Sequence, residues 1–303
     1  MDHKSFLASL TAAQCMELTE KSDARGLTHL ALHLGAIGVI ATLIVARVDF
    51  WPLLMLPQGI LLVFLFTLLH EASHSTPFRT PWLNMAAAYI SGSVIFLAPR
   101  WFRYFHFAHH RFTQIPGKDP ELSAPKPETW GQYLLYVSGI PVWVDHAGTL
   151  IRNAAGRCED DFVPESKRLM VRTEARMMVA AYLALLVVSL ASGSAVLVTV
   201  WLIPMALGQP FLRLYLLAEH GRCAYVANML ENSRTTFTNA LLRRLAWNMP
   251  YHAEHHSYPA VPFYKLPDLH KLTAQHLVVT ENGYGRFHAR YAPHINGAAD
   301  AAE

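Results

Sequence analysis

Two pairs of long apolar segments constrain the fold of this chain more than any other feature. The first pair, residues 27–48 and 53–69, is joined by a short turn at Asp49 and Trp51. The second pair, residues 177–190 and 196–217, is joined by the sequence Ala-Ser-Gly-Ser. A helix of about 20 apolar residues crosses the hydrocarbon core of a bilayer. The pattern predicts an all-α integral membrane protein with four transmembrane helices in two hairpins.

The composition agrees with a chain that lies largely in lipid. Of the 303 residues, 52% are hydrophobic and 16% are charged, whereas soluble domains are about 25% charged. The mean hydropathy is +0.20. A net charge of only +3 without a basic run argues against a nucleic-acid partner. Three widely spaced cysteines predict neither a disulfide framework nor a zinc ribbon.

The distribution of Lys and Arg predicts the orientation in the membrane. Two shorter apolar runs, residues 85–98 and 133–144, are too short to span, and we expect them to be interfacial or buried. With four spans, the two outer loops contain Asp49 and no internal basic residue. The positive-inside rule then places both termini and every histidine cluster in the cytoplasm. We expect a multi-pass protein of a bacterial inner membrane.

The whole chain, residues 1–303, is predicted to form a single membrane domain. Its parts are a cytoplasmic N-terminal segment (1–26), a first transmembrane hairpin (27–70), a cytoplasmic cap region (71–176), a second hairpin (177–217), a second cap region (218–296) and a frayed tail (297–303). The cytoplasmic helical cap carries the histidine motifs described next.

Histidine is unusually abundant, with 17 residues, and eight of them fall in three motifs beside the predicted spans. Box 1 is His-Glu-Ala-Ser-His at 70–74, box 2 is His-Phe-Ala-His-His at 106–110, and box 3 is His-Ala-Glu-His-His at 252–256. On a helix, residues at i, i+3 and i+4 share one face, so each box presents its imidazoles together. His220, at the end of the last span, can reach the same centre. The candidate ligands are His70, His74, His106, His109, His110, His220, His252, His255 and His256.

Nine imidazoles are too many for one metal ion and suit two ions with four or five nitrogens each. Imidazole binds Zn, Cu, Fe and Ni, so the ligand type leaves the metal open. Four carboxylates near the boxes are candidates to orient ligand imidazoles through the second ring nitrogen: Glu71, Asp119, Glu219 and Glu254. Asp119 lies in Pro-Gly-Lys-Asp-Pro, so a role in the turn alone is equally open. Seven of the other histidines are predicted to be structural: those at 29, 33, 146, 270, 276, 288 and 294.

The three boxes, their order and their placement after the two hairpins resemble the membrane fatty acid desaturase and hydroxylase superfamily. The sequence around box 3, Asn-Met-Pro-Tyr-His-Ala-Glu-His-His-Ser-Tyr-Pro at 248–259, is similar to that of the acyl-lipid desaturase-like branch. The resemblance covers most of residues 27–276. It implies a non-haem centre of two iron ions, O₂ as co-substrate, a membrane lipid as substrate, and the nine histidines above as ligands.

The electron source is also implied by the resemblance. Many members carry a fused cytochrome b5 domain with a His-Pro-Gly-Gly motif, and this sequence has no such motif. A separate donor is therefore expected: ferredoxin, rubredoxin, or cytochrome b5 with its reductase.

Alternative functions differ in how many of the histidines they explain. Box 1 also matches the HExxH motif of zinc metalloproteases, here an intramembrane one, but that reading ignores boxes 2 and 3. A carboxylate-bridged di-iron site needs paired Glu-x-x-His motifs, and only Glu71 with His74 fits. A histidine-lined metal transporter lacks polar residues in the middle of the second hairpin. Within the superfamily, desaturation is favoured, and hydroxylation of a lipid, a carotenoid or a small non-lipid substrate stays open.

Overall fold

The computed structural model describes residues 1–297 and is almost entirely α-helical, as predicted. Its first eight helices are α1 (His3–Ser9), α2 (Ala12–Thr19), α3 (Asp23–Val45), α4 (Trp51–Val63), α5 (Leu65–Ser73), α6 (Pro81–Val94), α7 (Pro99–Phe112) and α8 (Trp130–Ser138). The others are α9 (Ile140–Ala154), α10 (Glu165–Ala191), α11 (Ile203–His220), α12 (Met229–Asn232), α13 (Ala240–Leu245), α14 (His252–Ser257), α15 (Leu266–Thr273) and α16 (Tyr284–Tyr291). Two short strands, β1 (Thr235–Thr236) and β2 (Thr280–Glu281), pair in parallel. Apart from Gly297, the predicted frayed tail lies outside the described residues.

Four helical stretches are long and apolar enough to cross a membrane: Ala12–Val45, Trp51–Ser73, Glu165–Ala191 and Val198–His220. They overlap the four predicted apolar segments, but the helices extend further. α10 begins at Glu165, well before the predicted start of its apolar segment at residue 177. Apolar patterning marks only the part of a helix that suits lipid, and a helix continues into polar sequence until a cap or a breaker ends it.

The two shorter apolar runs fall in bent helix pairs. α6 and α7 meet at an angle of 100°, and α8 and α9 meet at 55°. By length and composition the described chain has four spans, or up to six if each bent pair counts as one. The four-span arrangement and its hairpins therefore stay a prediction.

α4 and α11 cross in close contact, and this contact fixes the position of each helix along the axis of the other. Gly59 of α4 lies against the backbone of Pro204 and Gly208, so a Cβ atom at Gly59 or at Gly208 would clash with the opposite backbone. Small residues allow such close approach of membrane helices. At 1.5 Å per residue, His70 lies about 16 Å of helix beyond Gly59, and His220 lies about 18 Å beyond Gly208. The stretch α4–α5 and the helix α11 therefore each carry a histidine at a similar distance beyond the crossing.

The helix that carries box 2 is fixed at its beginning by α10. α7 begins at Pro99, which suits the first position of a helix because proline has no N–H to satisfy there. The backbone N–H of Arg100 donates to the buried Glu174 carboxylate at 3.0 Å. A negative charge at a helix N-terminus is stabilising. The contact therefore connects the position of box 2 to the third long apolar helix.

Candidate metal centre

All three boxes are helical, as their spacing predicts. His70 lies in the last turn of α5, and His74 follows directly as the residue that caps its C-terminus. Box 2 occupies the last two turns of α7. Box 3 forms most of the short helix α14, in which His252, His255 and His256 are all buried.

The nine predicted histidines converge, but they divide between two groups. Group 1 comprises His70, His74, His106, His110 and His255, whose ligand nitrogens all lie within 4.8 Å of one another. Group 2 comprises His109, His220 and His256 by the same measure. His252 joins group 2 through its Nε2, which lies 2.9 Å from Nε2 of His220. The groups thus contain five and four imidazoles, as expected for two ions.

Boxes 2 and 3 each divide between the groups, which differs from the expectation that a box acts as one face. His109 and His110 are neighbours in sequence, yet they belong to different groups, and so do His255 and His256. Successive residues of a helix point about 100° apart. An adjacent histidine pair can therefore reach two neighbouring sites rather than one.

Several ring nitrogens in these groups are buried and lack a hydrogen-bond partner among the described residues. They include Nδ1 of His70, both nitrogens of His110, and Nε2 of His255 and of His256. Leaving such atoms unsatisfied costs free energy, and most buried polar atoms have partners. Metal ions among these nitrogens would supply the missing contacts, so the residues fit a two-metal centre.

Close contacts between imidazoles point the same way. Nε2 of His74 lies 2.7 Å from Nε2 of His106, and Nε2 of His109 lies 3.2 Å from Nε2 of His220. Metal–nitrogen bonds of about 2 Å hold two ligand nitrogens of one ion about 3 Å apart. The separations therefore match those of nitrogens that share an ion.

Burial keeps the box 3 imidazoles in the form that binds metal. It lowers the pKa of His252, His255 and His256 well below the usual value, and the neighbouring histidines add to the effect. The three rings are therefore neutral at pH 7. A neutral imidazole has a free lone pair for a metal ion.

Asp119 fills both roles that the sequence left open. Its Oδ1 accepts a hydrogen bond from Nδ1 of His109 at 2.9 Å, which leaves Nε2 of that ring free for a metal. Its two oxygens also accept from the backbone N–H groups of Gln114 and Glu121, at 2.8 and 2.9 Å. The turn thereby holds the carboxylate rigidly against the ring.

Two further ring contacts in group 2 were not predicted. Nδ1 of His220 donates to the backbone carbonyl of Asn232 at 3.0 Å, and Nδ1 of His256 lies 3.2 Å from Oγ1 of Thr113. Like the contact of His109, both leave Nε2 directed to the cluster. A backbone carbonyl and a threonine three residues after box 2 carry no sequence signal for this role.

The fatty acid desaturase model matches residues 48–288, most of the chain and all nine histidines. The chain belongs to the fatty acid desaturase family. It is therefore an oxidoreductase of the desaturase and hydroxylase type, from a family known to bind iron, and a multi-pass membrane protein. A search of the curated proteins gave no match.

Two of the other predicted carboxylates in this fatty acid desaturase family member face box 3 rings. Glu71 Oε1 lies 3.4 Å from Nδ1 of His255, and its other oxygen accepts from the backbone N–H of Phe263 at 3.1 Å. Glu219 Oε1 lies 3.3 Å from Nδ1 of His252. Both positions suit carboxylates that orient a ligand ring.

Glu254 differs from the prediction. Its carboxylate accepts from Nδ1 of His270 and from the hydroxyl of Thr235, each at 2.5 Å, and contacts no box histidine within the described range 1–297. Glu254 points away from the centre because it shares a helix with His252 and His255 but lies on the opposite face. It fastens α14 to α15 and β1 instead. His270 is structural, as predicted, through this contact.

Glu121 is a site residue that sequence reasoning missed. Its Oε2 lies 3.4 Å from Nε2 of His109, the nitrogen directed to group 2. Its Oε1 pairs with Nζ of Lys126 at 2.5 Å. Burial alone would raise the pKa of Glu121, but Lys126 and His109 hold it well below its usual range. A second carboxylate two residues after Asp119, in the turn that follows box 2, was the available signal.

A cavity of about 440 Å³ adjoins the centre. His70, His106, His109 and His252 form one part of its wall. The rest is mostly apolar and aromatic, with Val63, Phe66, Phe102, Trp143, Met205, Leu212 and Leu216 among the lining residues. The volume is that of an ordinary small-molecule site.

Proposed function

We propose that this chain is an O₂-dependent non-haem di-iron enzyme that introduces a double bond into a lipid acyl chain. The observation that carries the proposal is the convergence of nine imidazoles, in groups of five and four, at the wall of a mostly apolar cavity. Membership of the fatty acid desaturase family supports the reaction class.

The two groups are proposed to hold one iron ion each. Group 1 supplies five neutral nitrogens, and group 2 supplies four, with the Glu121 carboxylate close to the second ion. Imidazole is a suitable ligand for iron. The bound ions would supply the reduction of O₂ that removes hydrogen from an unactivated C–H bond.

The protein's own contribution is orientation and exclusion of water. Asp119 fixes the direction of the His109 ring by a hydrogen bond to Nδ1. The Glu219 and Glu71 carboxylates lie 3.3 and 3.4 Å from Nδ1 of His252 and His255, where they would orient those rings. Such contacts raise ligand basicity and hold geometry. Seven of the nine histidines are buried, and His74 and His110 are partly buried, which limits access of water to the reacting carbon.

The shape and chemistry of the cavity support an alkyl chain as the reacting part of the substrate. Phe66 and Phe102 lie beside the histidine wall, and Leu216 precedes Glu219 by one helical turn on α11. Apolar surfaces bind a methylene chain by removing it from water, at about 0.8 kcal/mol per CH₂. The chain can thus reach the centre without a polar anchor at the reacting carbon.

The proposed reaction needs two electrons from outside this chain. Removal of two hydrogens from adjacent carbons, with O₂, two electrons and two protons, gives one double bond and two water molecules. We propose that ferredoxin, rubredoxin, or cytochrome b5 with its reductase delivers the electrons. The distribution of basic residues supports a cytoplasmic position for the centre, where such carriers act.

The experiment is product analysis with purified protein in nanodiscs. Iron-loaded protein is incubated with O₂, a reduced electron carrier and isotope-labelled lipids, and the masses of the products are measured by mass spectrometry. Desaturation removes two hydrogens from an acyl chain, whereas hydroxylation adds one oxygen atom. Oxidation of a small polar compound under conditions that leave every lipid unchanged would contradict the acyl substrate, and a preparation that binds no iron would contradict the metal centre.

A further inference from the structure

Arg213 is a cation inside an apolar helix. It lies in α11, seven positions before the helix ends at His220, and its side chain lines the cavity beside the metal centre. Among residues 1–297, no carboxylate lies within salt-bridge distance of its guanidinium group. Its Nε is buried without a hydrogen-bond partner, and the guanidinium lies over the ring of Tyr136 at 4.3 Å.

An arginine in this position requires an explanation. Ionisable residues within membrane helices are costly and usually serve function, with a partner that balances the charge. Three carboxylates line the same cavity, and none forms an ion pair with Arg213. Asp145 has no ion pair among residues 1–297, and Glu219 faces His252. Glu121 pairs with Lys126, a second cation on this wall. The partner of Arg213 is therefore not one of these side chains.

Two polar side chains accompany Arg213 on the cavity wall. Gln209 lies one helical turn earlier on α11 and is 3% exposed, and His146 of α9 has a buried Nδ1 without a hydrogen-bond partner. We name these residues, with Tyr136, the Arg213 patch. The patch offers a cation without an ion-pair partner and several hydrogen-bonding groups within a mostly apolar wall.

On the basis of the proposed function, we propose that the Arg213 patch binds an anionic group of the substrate, a carboxylate or a phosphate. A guanidinium group donates two parallel hydrogen bonds to either group, and such charge-assisted pairs are strong and directional. Gln209 and Tyr136 provide further hydrogen-bond donors on the same cavity wall. The substrate is thus an anionic amphiphile rather than a neutral lipid.

The geometry of α11 also separates the anion from the reacting carbon. Arg213, Leu216 and Glu219 follow one another at helical spacing on the cavity side. At 1.5 Å per residue, the rise from Arg213 to Glu219, beside His252, is about 9 Å. An anion at Arg213 therefore places a carbon several bonds along the alkyl chain, and not the carbon next to the anion, at the histidines.

The test measures binding of three probes with the same chain: dodecanoate, dodecyl phosphate and dodecanol. Purified protein in nanodiscs is titrated by calorimetry, which needs no turnover. Wild-type protein is expected to bind at least one anion about tenfold or more tightly than dodecanol, as one charge-assisted contact provides. The more tightly bound anion identifies the chemical class.

Variants assign the preference to Arg213. Arg213→Met should bind all three probes with similar affinity and keep the wild-type affinity for dodecanol, and Arg213→Lys should retain part of the preference. The control is Arg286→Met, because Arg286 is exposed on α16, away from the cavity. It should bind every probe as the wild type does.

Two outcomes would overturn the inference: wild-type protein without a preference for an anion, or Arg213→Met with the preference intact. The first outcome is measured on wild-type protein alone, so the proposal can be refuted even if a variant misfolds. Iron content is measured on the same preparations. A protein that prefers the anions but binds no iron would contradict the proposed function and leave the Arg213 site supported. A protein that binds iron normally but shows no preference would contradict the Arg213 site and leave the proposed function supported.

Discussion

The carboxylate of Glu254 accepts a hydrogen bond from Nδ1 of His270 at 2.5 Å, although Glu254 lies in the middle of box 3. The same carboxylate accepts from Thr235, so it joins α14 to α15 and to β1. Box 3 therefore contains one residue, Glu254, that holds the helix in place. Glu254 lies on the face of α14 that points away from the centre, and the histidines lie on the face that points toward it.

Loss of this carboxylate should destabilise the protein. Glu254→Ala leaves His270 and Thr235 without their buried partner, and we expect a loss of about 2–3 kcal/mol in the free energy of unfolding. Denaturant unfolding in detergent measures it. Asp268→Ala is the control, since the Asp268–Lys271 pair is exposed and screened by solvent, so its loss should change stability little. Equal effects of the two substitutions would refute the anchoring role.

A box histidine should be far more sensitive than a structural one. His255→Ala removes a nitrogen from group 1, and we expect activity to fall by more than about 100-fold together with the iron content. His276→Ala, at a partly exposed ring outside both groups, should change neither. Activity assays and elemental analysis check both variants. Normal iron and activity in His255→Ala would exclude the boxes as the site.

Glu121 should matter for one ion more than for the other. Glu121→Gln removes a charge beside His109 of group 2, and Glu121 forms no ion pair with a histidine of group 1 among the described residues. We expect the affinity for one of two irons to fall by about 10–100-fold, as for loss of an outer contact. Iron titration followed spectroscopically separates the two ions. Glu231→Gln, outside both groups, is the control, and two unchanged binding steps in Glu121→Gln would contradict the assignment.

The glycine crossing should tolerate no side chain. A Cβ at Gly208 meets the backbone of Gly59, so Gly208→Ala must push α4 from α11 and shift His220, a member of group 2, relative to group 1. We expect a stability loss of about 1–3 kcal/mol and reduced iron retention. Gly38→Ala is the matched control in another apolar helix, because nothing lies within 4 Å of its Cβ. Thermal unfolding and iron content compare the pair.

Reporter fusions test the orientation. Fusions after Asp49 and after Gly193 should report the outer side, because these loops lack internal basic residues. Fusions after Lys118 and at the C-terminus should report the cytoplasm. An outer location for Lys118 would mean that the bent pair of α6 and α7 crosses the membrane, and would refute the four-span arrangement.

Apolar length and histidine spacing made much of this protein predictable. The apolar segments indicated the long helices, since crossing a bilayer demands that length. The i, i+3 and i+4 spacing placed His70 and His74, or His106 and His110, on shared faces. The orienting role of Asp119 was one of two open alternatives, because a turn sequence does not reveal what lies opposite it. Glu121 and Arg213 were not predicted as site residues, because their roles depend on residues that are far from them in the sequence.

The sequence by itself determined the four apolar segments, the three histidine boxes and the order in which they follow one another along the chain. Only the tertiary structure decided how the histidines divide, with His109 and His256 in group 2 and His110 and His255 in group 1. The physical reason is that adjacent helical residues diverge by about 100°, so the two rings of each pair point in different directions and can serve two centres. Which centre each ring reaches depends on how α5, α7, α11 and α14 pack, through contacts between residues far apart in the chain.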